Sequence, residues 1–258
     1  MYKGSLVFFS IVLIFQSSIS QDMVIKSGLY RWSELPVRQS SEREARKILE
    51  GTSTYFDFFE IHATTQYKGA IPSPSHAQED IEELIIVKEG LMQFTMNGVV
   101  KNLGPGSAIL IPPHADQGLK NVGDGPLTYY VIMFRSKSPM DLERSEASGG
   151  PLLISGDSVS FIKNSKGGRW NYFERPTAMC EFFHVHATRL DQAGPSIPPH
   201  QHPESELFIV LEGQTELTID GQKYSGEAGD LYYVKPGQVH GMSNATDLPC
   251  RFFAIKWK

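Results

Sequence analysis

Four residues in the C-terminal part of the chain have the types and spacing to hold a metal ion: His200, His202, Glu206 and His240. They sit in GPSIPPHQHPESELFIVLEG, residues 194–213, and GDLYYVKPGQVHGMSN, residues 229–244. Two histidines two apart on an extended strand point both imidazoles to one face. Pro203 interrupts that run, so Glu206 opens the next strand, ELFIVLE, rather than continuing the first. His240 arrives after a Pro236-Gly237 turn. Three imidazoles and a carboxylate can close on one divalent transition metal and leave room for water or substrate. A His-x-His pair alone is more often surface or satisfied core. The third histidine, the carboxylate and the framing glycines (194, 213, 221, 229 and 237) make the set a candidate site. The donors suit Fe, Mn, Zn, Ni, Co or Cu, and affinity order does not choose among them.

Strand parity supplies the surroundings. Phe208 and Val210 share a face with Glu206, and Met242 and Asn244 share one with His240. The apolar members form a wall around the ion, as in small-molecule sites. Asn244 is placed to orient a ligand or water. It also begins an Asn-Ala-Thr sequon, but an inward asparagine cannot carry a glycan. His184 and His186 form a second His-x-His. Its echo at His62 lies where no metal set is evident, which favours packing or hydrogen bonding. The sharper alternative is that His184 lines the pocket as a proton shuttle.

The elements that must position these residues repeat. FFEIHATT at 58–65 is echoed by FFHVHATR at 182–189, and LIIVKEG at 84–90 by LFIVLEG at 207–213. The Asn97-Gly98 hairpin turn matches Asp220-Gly221. Short alternating strands with glycine turns predict an all-β chain of two antiparallel barrels. The expected layout is an arm over 21–51, a barrel over 52–135, a polar linker over 136–159 and a second barrel over 160–258. Ser41 and Glu44 read as a capping box opening a short N-terminal helix, EREARKIL, closed by Gly51. A constant offset of 123 maps His200 onto Ala77, His202 onto Glu79, Glu206 onto Glu83 and His240 onto Gln117. Upstream the offset is 124, so an extra residue precedes Glu83 and His76 can slide into reach. The first barrel therefore reads as degenerate.

Glycine, five residues, His-x-His, three residues, Glu, six residues, Gly, followed by a Gly-framed His-x3-Asn, resembles the two signature motifs of the cupin superfamily. Gly194, His200, His202, Glu206 and Gly213 fit the first. Gly229, Gly237, His240 and Asn244 fit the second, with its proline one place late at Pro236. The resemblance implies a bicupin: two double-stranded β-helix (jelly-roll) barrels, with intact metal ligands only in the C-terminal one. Bicupins include oxalate decarboxylases, dioxygenases, aminohydrolases and storage globulins. The family makes a homodimer through barrel edges plausible.

Lys3 precedes the apolar run SLVFFSIVLIF, and Ser18 and Ser20 suit a signal peptidase. Residues 1–20 therefore read as a cleaved leader, placing the protein in the periplasm or outside the cell. No later run is long enough to span a membrane. A net charge of −5 gives no basic footprint for nucleic acid. Cys180 and Cys250 read as buried free thiols. Two functions remain. One is a metal-dependent enzyme on a small polar organic molecule, of dioxygenase, decarboxylase, isomerase or aminohydrolase type. The other is a non-catalytic module that binds a sugar or small acid beside a structural metal.

Overall fold

A computed structural model describes residues 23–258, so the expected leader over 1–20 lies outside the described residues. The architecture is all-β, in two similar halves. In the first, seven antiparallel strands run in the order Leu152–Ile154, Ala108–Ile111, Glu82–Glu89, Leu127–Ser136, Phe56–Gln66, Arg43–Gly51, Val37–Gln39. A three-stranded sheet (Val99–Leu103, Met92–Met96, Gln117–Asn121) faces it. In the second half the large sheet runs Gly28–Tyr30, Leu231–Val234, Ser205–Glu212, Cys250–Trp257, Phe183–Leu190, Gly167–Arg175, Phe161–Asn164. Its partner sheet is Gly194–Pro195, His240–Asn244, Gln214–Ile219, Gln222–Glu227. Each half is a jelly roll whose sheets face one another without closing. The tight hairpins fall where the sequence puts them: Asn97 (φ 49°) with Gly98 (φ 81°), and Asp220 (φ 48°) with Gly221 (φ 84°).

The expected N-terminal helix is not formed. Arg43–Gly51 is a strand, paired along its length with Phe56–Gln66. Ser40, not Ser41, organises the local turn, its Oγ accepting from the backbone N–H groups of Glu42 (3.3 Å) and Arg43 (3.1 Å). Glu44 bonds the Tyr67 hydroxyl at 2.8 Å and pairs with Arg46 at 2.8 Å. A ladder partner and the bond of Glu44 to Tyr67 across the hairpin thus outweigh a weak helical preference. The expected linker is also structured. It carries a helix, Leu142–Ala147, capped by Asp141, and the strand Leu152–Ile154 that pairs with Ala108–Ile111 of the first half.

The repeat reaches further upstream than its sequence echoes. Gly28–Tyr30, Val37–Gln39 and Arg43–Gly51 recur 124 positions later as Leu152–Ile154, Phe161–Asn164 and Gly167–Arg175. The leading strand of each repeat is exchanged: Gly28–Tyr30 pairs with Leu231–Val234 of the second half, and Leu152–Ile154 with the first. Trp32 anchors the first exchange. Its backbone N–H donates to Asp230 Oδ1 at 2.8 Å, and its ring meets Tyr130 edge-on at 5.9 Å.

The two large sheets share a continuous core. On Ser205–Glu212, Leu207 and Ile209 face this common core, while Phe208 and Val210 face the interior of the second half. Phe56, Phe59, Tyr233 and Trp257 stack across the junction at 5.3–6.1 Å. A fully buried phenylalanine contributes about 1.5–3 kcal/mol, so the halves are joined by hydrophobic burial and not only by the connecting chain. Cys180 lies in this core and Cys250 in that of the second half, both as buried free thiols.

Candidate metal centre

His200 and His202 lie in the segment leading to strand Ser205–Glu212, which carries Glu206, while His240 opens the strand His240–Asn244. The backbones of His200 and His240 bond each other reciprocally, at 2.9 and 2.8 Å. That bridge brings residues forty apart in sequence side by side, with ring centroids 4.7 Å apart. The ligating atoms of His200, His202, Glu206 and His240 all lie within 4.8 Å of one another. Among the described residues this is the one such group of three or more.

The donor chemistry tests whether an ion fits. His202 Nδ1 lies 3.1 Å from the Glu204 carbonyl and His240 Nδ1 lies 2.8 Å from the Gln238 carbonyl. A carbonyl only accepts, so both Nδ1 atoms carry hydrogen. Each Nε2 then faces Glu206 Oε2, at 3.1 Å from His202 and 2.8 Å from His240. In neutral rings those Nε2 atoms are lone pairs aimed at a carboxylate oxygen. The arrangement is attractive only with a proton or a cation between them. Two donors at about 2.1 Å from one ion, at right angles, stand roughly 3 Å apart. The set therefore fits a divalent cation. Without one, burial would raise the Glu206 pKa, but hydrogen bonds from His202 and His240, with the charges of His240 and Lys256, hold it down to about 2. Burial likewise opposes the His240 cation, yet its bonds to Glu206 and the Gln238 carbonyl raise its pKa.

A cavity of about 240 Å³ opens on this cluster. Of the residues expected around the ion, Phe208, Met242 and His184 line it. Val210 lies deeper, fully buried in the core of this half. Asn244 does not orient a ligand. Its Nδ2 donates to the Leu190 (3.3 Å) and Leu248 (2.8 Å) carbonyls and its Oδ1 accepts from Thr246 N–H at 3.1 Å, so it pins the turn that follows. It is 2% exposed, which leaves the sequon no room for a glycan.

Two wall residues, Lys256 and Arg169, escaped the sequence reading, and a third, His186, was read only as packing or hydrogen bonding. His186 lines the cavity beside His184, rings 4.7 Å apart, with its buried Nδ1 unpartnered. Burial, then repulsion from His184, brings its pKa down to about 3, so it is a neutral imidazole. Lys256 stands opposite both Glu206 and His184 in the ladder, and Arg169 completes a basic side. Parity could have found Lys256: it shares the inward face of the last strand with Phe252 and Ala254.

In the first half, the backbones of His76 and Gln117 bond reciprocally at 3.0 and 2.8 Å, as His200 and His240 do. His76, not Ala77, is therefore the counterpart of His200, and the extra residue lies between His76 and Glu83. Gln78, not Glu79, takes the place of His202 and hydrogen-bonds Glu83. One imidazole with two amides and a carboxylate is a weak transition-metal set.

A model of the cupin domain matches residues 62–133 and 188–256, more than half of the chain and one segment in each half. The chain belongs to the cupin family. It is a two-domain cupin, and solved structures share the whole arrangement. An oxalate decarboxylase from Lactobacillus farciminis, in a formate complex, superposes with a TM-score of 0.71 at 10% identity, covering 91% of this cupin and 87% of that chain. A Bacillus subtilis oxalate decarboxylase with Mn(II) centres gives 0.65 at 14% identity, covering 91% and 78%. At such identities the likeness is one of fold. An uncharacterized protein of Aquifex aeolicus is 39% identical over 51 residues, 19% of this cupin and 42% of its own length. This cupin spans less than half the length of the first curated relatives it matches. Among the described residues no helix is long and apolar enough to cross a membrane.

Proposed function

We propose that this cupin is a metal-dependent enzyme acting on a small, oxygen-rich carboxylate, outside the cytoplasm. The observation that carries the reading is one cavity that joins a ligand cluster to two basic side chains. Three imidazoles and a carboxylate gather there, with two imidazole nitrogens aimed at the carboxylate. Lys256, the ladder neighbour of Glu206, and Arg169 line the same cavity. The oxalate decarboxylases that share its fold act on a substrate of this type, which supports the choice. Decarboxylation or oxygenation are the reactions the wall chemistry suits best. The apolar leader supports export.

His200, His202, Glu206 and His240 would hold the ion, with manganese or iron favoured by the oxygen-rich substrate. When bound, it supplies Lewis acidity and a fixed positive charge beside the substrate. The chain's own residues do the rest. Lys256 and Arg169 bind and orient the carboxylate. Phe208, Met242 and Phe252 form an apolar floor that limits water. His186, held neutral by burial, lines the cavity beside His184 and adds an uncharged polar ring to its wall.

Elemental analysis of the purified protein, beside turnover of a panel of small carboxylates, tests the reading. About one metal per chain is expected, with His240→Ala losing both metal and turnover. A bound ion with no turnover of any carboxylate would leave a binding module, and the enzyme reading would fail.

A further inference from the structure

The first half has a cavity of its own, about 180 Å³, at the place equivalent to the metal-centre cavity. Its chemistry is different. Lys256 is replaced by Met133, each opposite the glutamate in its own ladder. Phe252 is replaced by Tyr129, each opposite a threonine, and Leu190 by Gln66. The lysine-bearing, apolar-floored cavity of the second half thus becomes one lined by more hydrogen-bonding groups, with Arg43, His62, His76 and Glu83 among its titratable members.

Gln66 is the decisive residue. It is 2% exposed and lines the cavity, its Nε2 bonds the Tyr129 hydroxyl at 3.4 Å, and its buried Oε1 has no partner. An unsatisfied buried acceptor costs about 1–3 kcal/mol unless something supplies a donor. Nearby, Glu83 is 4% exposed and accepts from Gln117 Nε2 at 3.0 Å. Arg43 is held by the Ile71 carbonyl at 2.7 Å and Ser73 Oγ at 3.3 Å, and its charge is matched by Glu42 at 3.7 Å. Leu119, Val131 and Met133 form an apolar side. Amides, a carboxyl, a hydroxyl and the imidazoles of His62 and His76, together with this apolar patch, match a ring that has hydroxyls on its rim and C–H groups on its face. The size is well below the several hundred Å³ of drug-sized sites.

We propose that this second cavity is a metal-free binding site for a neutral polyhydroxylated molecule of monosaccharide size, with the Gln66 amide turning to it and accepting, as Glu83 does, a hydroxyl hydrogen. The site is independent of the metal centre and of whatever reaction occurs there.

Isothermal titration with D-glucose, D-mannose and myo-inositol, beside acetate and manganese chloride, tests this on the full chain. One of the polyols should bind once per chain. Affinity in His240→Ala should stay within about twofold of wild type, while Gln66→Leu should weaken it at least tenfold. Leucine is what the second half carries at this position, so the variant is expected to fold, as a thermal melt will show. Tyr129→Phe, which likewise copies the second half, serves if Gln66→Leu does not fold. Its expected loss is smaller, about threefold to tenfold. The proposal is overturned if none of the polyols binds, if binding is lost in His240→Ala and kept in Gln66→Leu, or if His240→Ala still takes up manganese in this cavity.

Discussion

Glu82 should make this protein lose stability as pH rises through neutrality, and Glu82→Gln should abolish that loss. The residue is fully buried on strand Glu82–Glu89 at the junction of the halves. Its Oε2 accepts from Thr177 Oγ1 at 2.7 Å and Met179 N–H at 2.9 Å, while its Oε1 has no partner. Burial raises its pKa from 4.5 to about 7, against the opposing pull of those bonds and of Arg175. In the unfolded chain the carboxyl ionises near 4.5, so between 4.5 and 7 the folded state holds more protons and stability falls with pH. At about 1.4 kcal/mol per unit, the loss across that window is on the order of 3 kcal/mol. Glutamine keeps the accepting oxygen for Thr177 and Met179 and puts an uncharged amide where Oε1 stands. Urea unfolding of both proteins, followed by tryptophan fluorescence at about pH 5 and about pH 8, gives the difference between their pH slopes. Histidine titrations elsewhere cancel in that difference. Parallel slopes for the two proteins would refute the reasoning.

Trp32→Ala should cost about 2 kcal/mol in urea unfolding, since the ring packs on Tyr130 and under the Arg46 guanidinium at 4.5 Å. A loss under about 0.5 kcal/mol would mean that the exchanged strand does not depend on this anchor. Produced in a glycosylating host, the protein should show an unmodified Asn244 peptide by mass spectrometry, and an occupied sequon would contradict its burial. Neither Cys180 nor Cys250 should react with an aromatic disulfide reagent before unfolding, and both should react afterwards. Prompt labelling of either thiol in the native protein would show that its core is not closed.

Legibility followed the range of the signal. The metal cluster could be read because its members are local in sequence: His200, His202 and Glu206 fall within seven residues, and a turn marks the arrival of His240. The two halves could be read because strand echoes survive at a nearly constant offset. The strand Arg43–Gly51 could not. Its polar sequence has no clean alternation, and what makes it a strand is the ladder with Phe56–Gln66. The exchange of Gly28–Tyr30 was equally hidden, because three residues carry no periodicity and their partner lies some two hundred residues away. His186 was judged by its echo at His62, but equivalent positions in the two halves do not share a chemistry. Carrying the offset of 123 past the extra residue put Ala77 where His76 belongs, the slide that the upstream offset of 124 allowed.

The comparison of the halves shows why the metal reading rests on the second alone. Both present a buried carboxylate of the large sheet to a nitrogen on a strand of the facing sheet: Gln117 Nε2 to Glu83 Oε1 at 3.0 Å, His240 Nε2 to Glu206 Oε2 at 2.8 Å. The backbone that sets these distances is the same, as the reciprocal bonds of His76 with Gln117 and His200 with His240 show. In the first half the amide brings its own hydrogen and the contact is complete. In the second, the ring hydrogen is already committed to the Gln238 carbonyl, so the same distance leaves a lone pair against a carboxylate. His202 repeats the conflict through the Glu204 carbonyl. One geometry is therefore satisfied by a hydrogen bond in one half and calls for a cation in the other. The side chains at two ligand positions, glutamine or histidine, decide which.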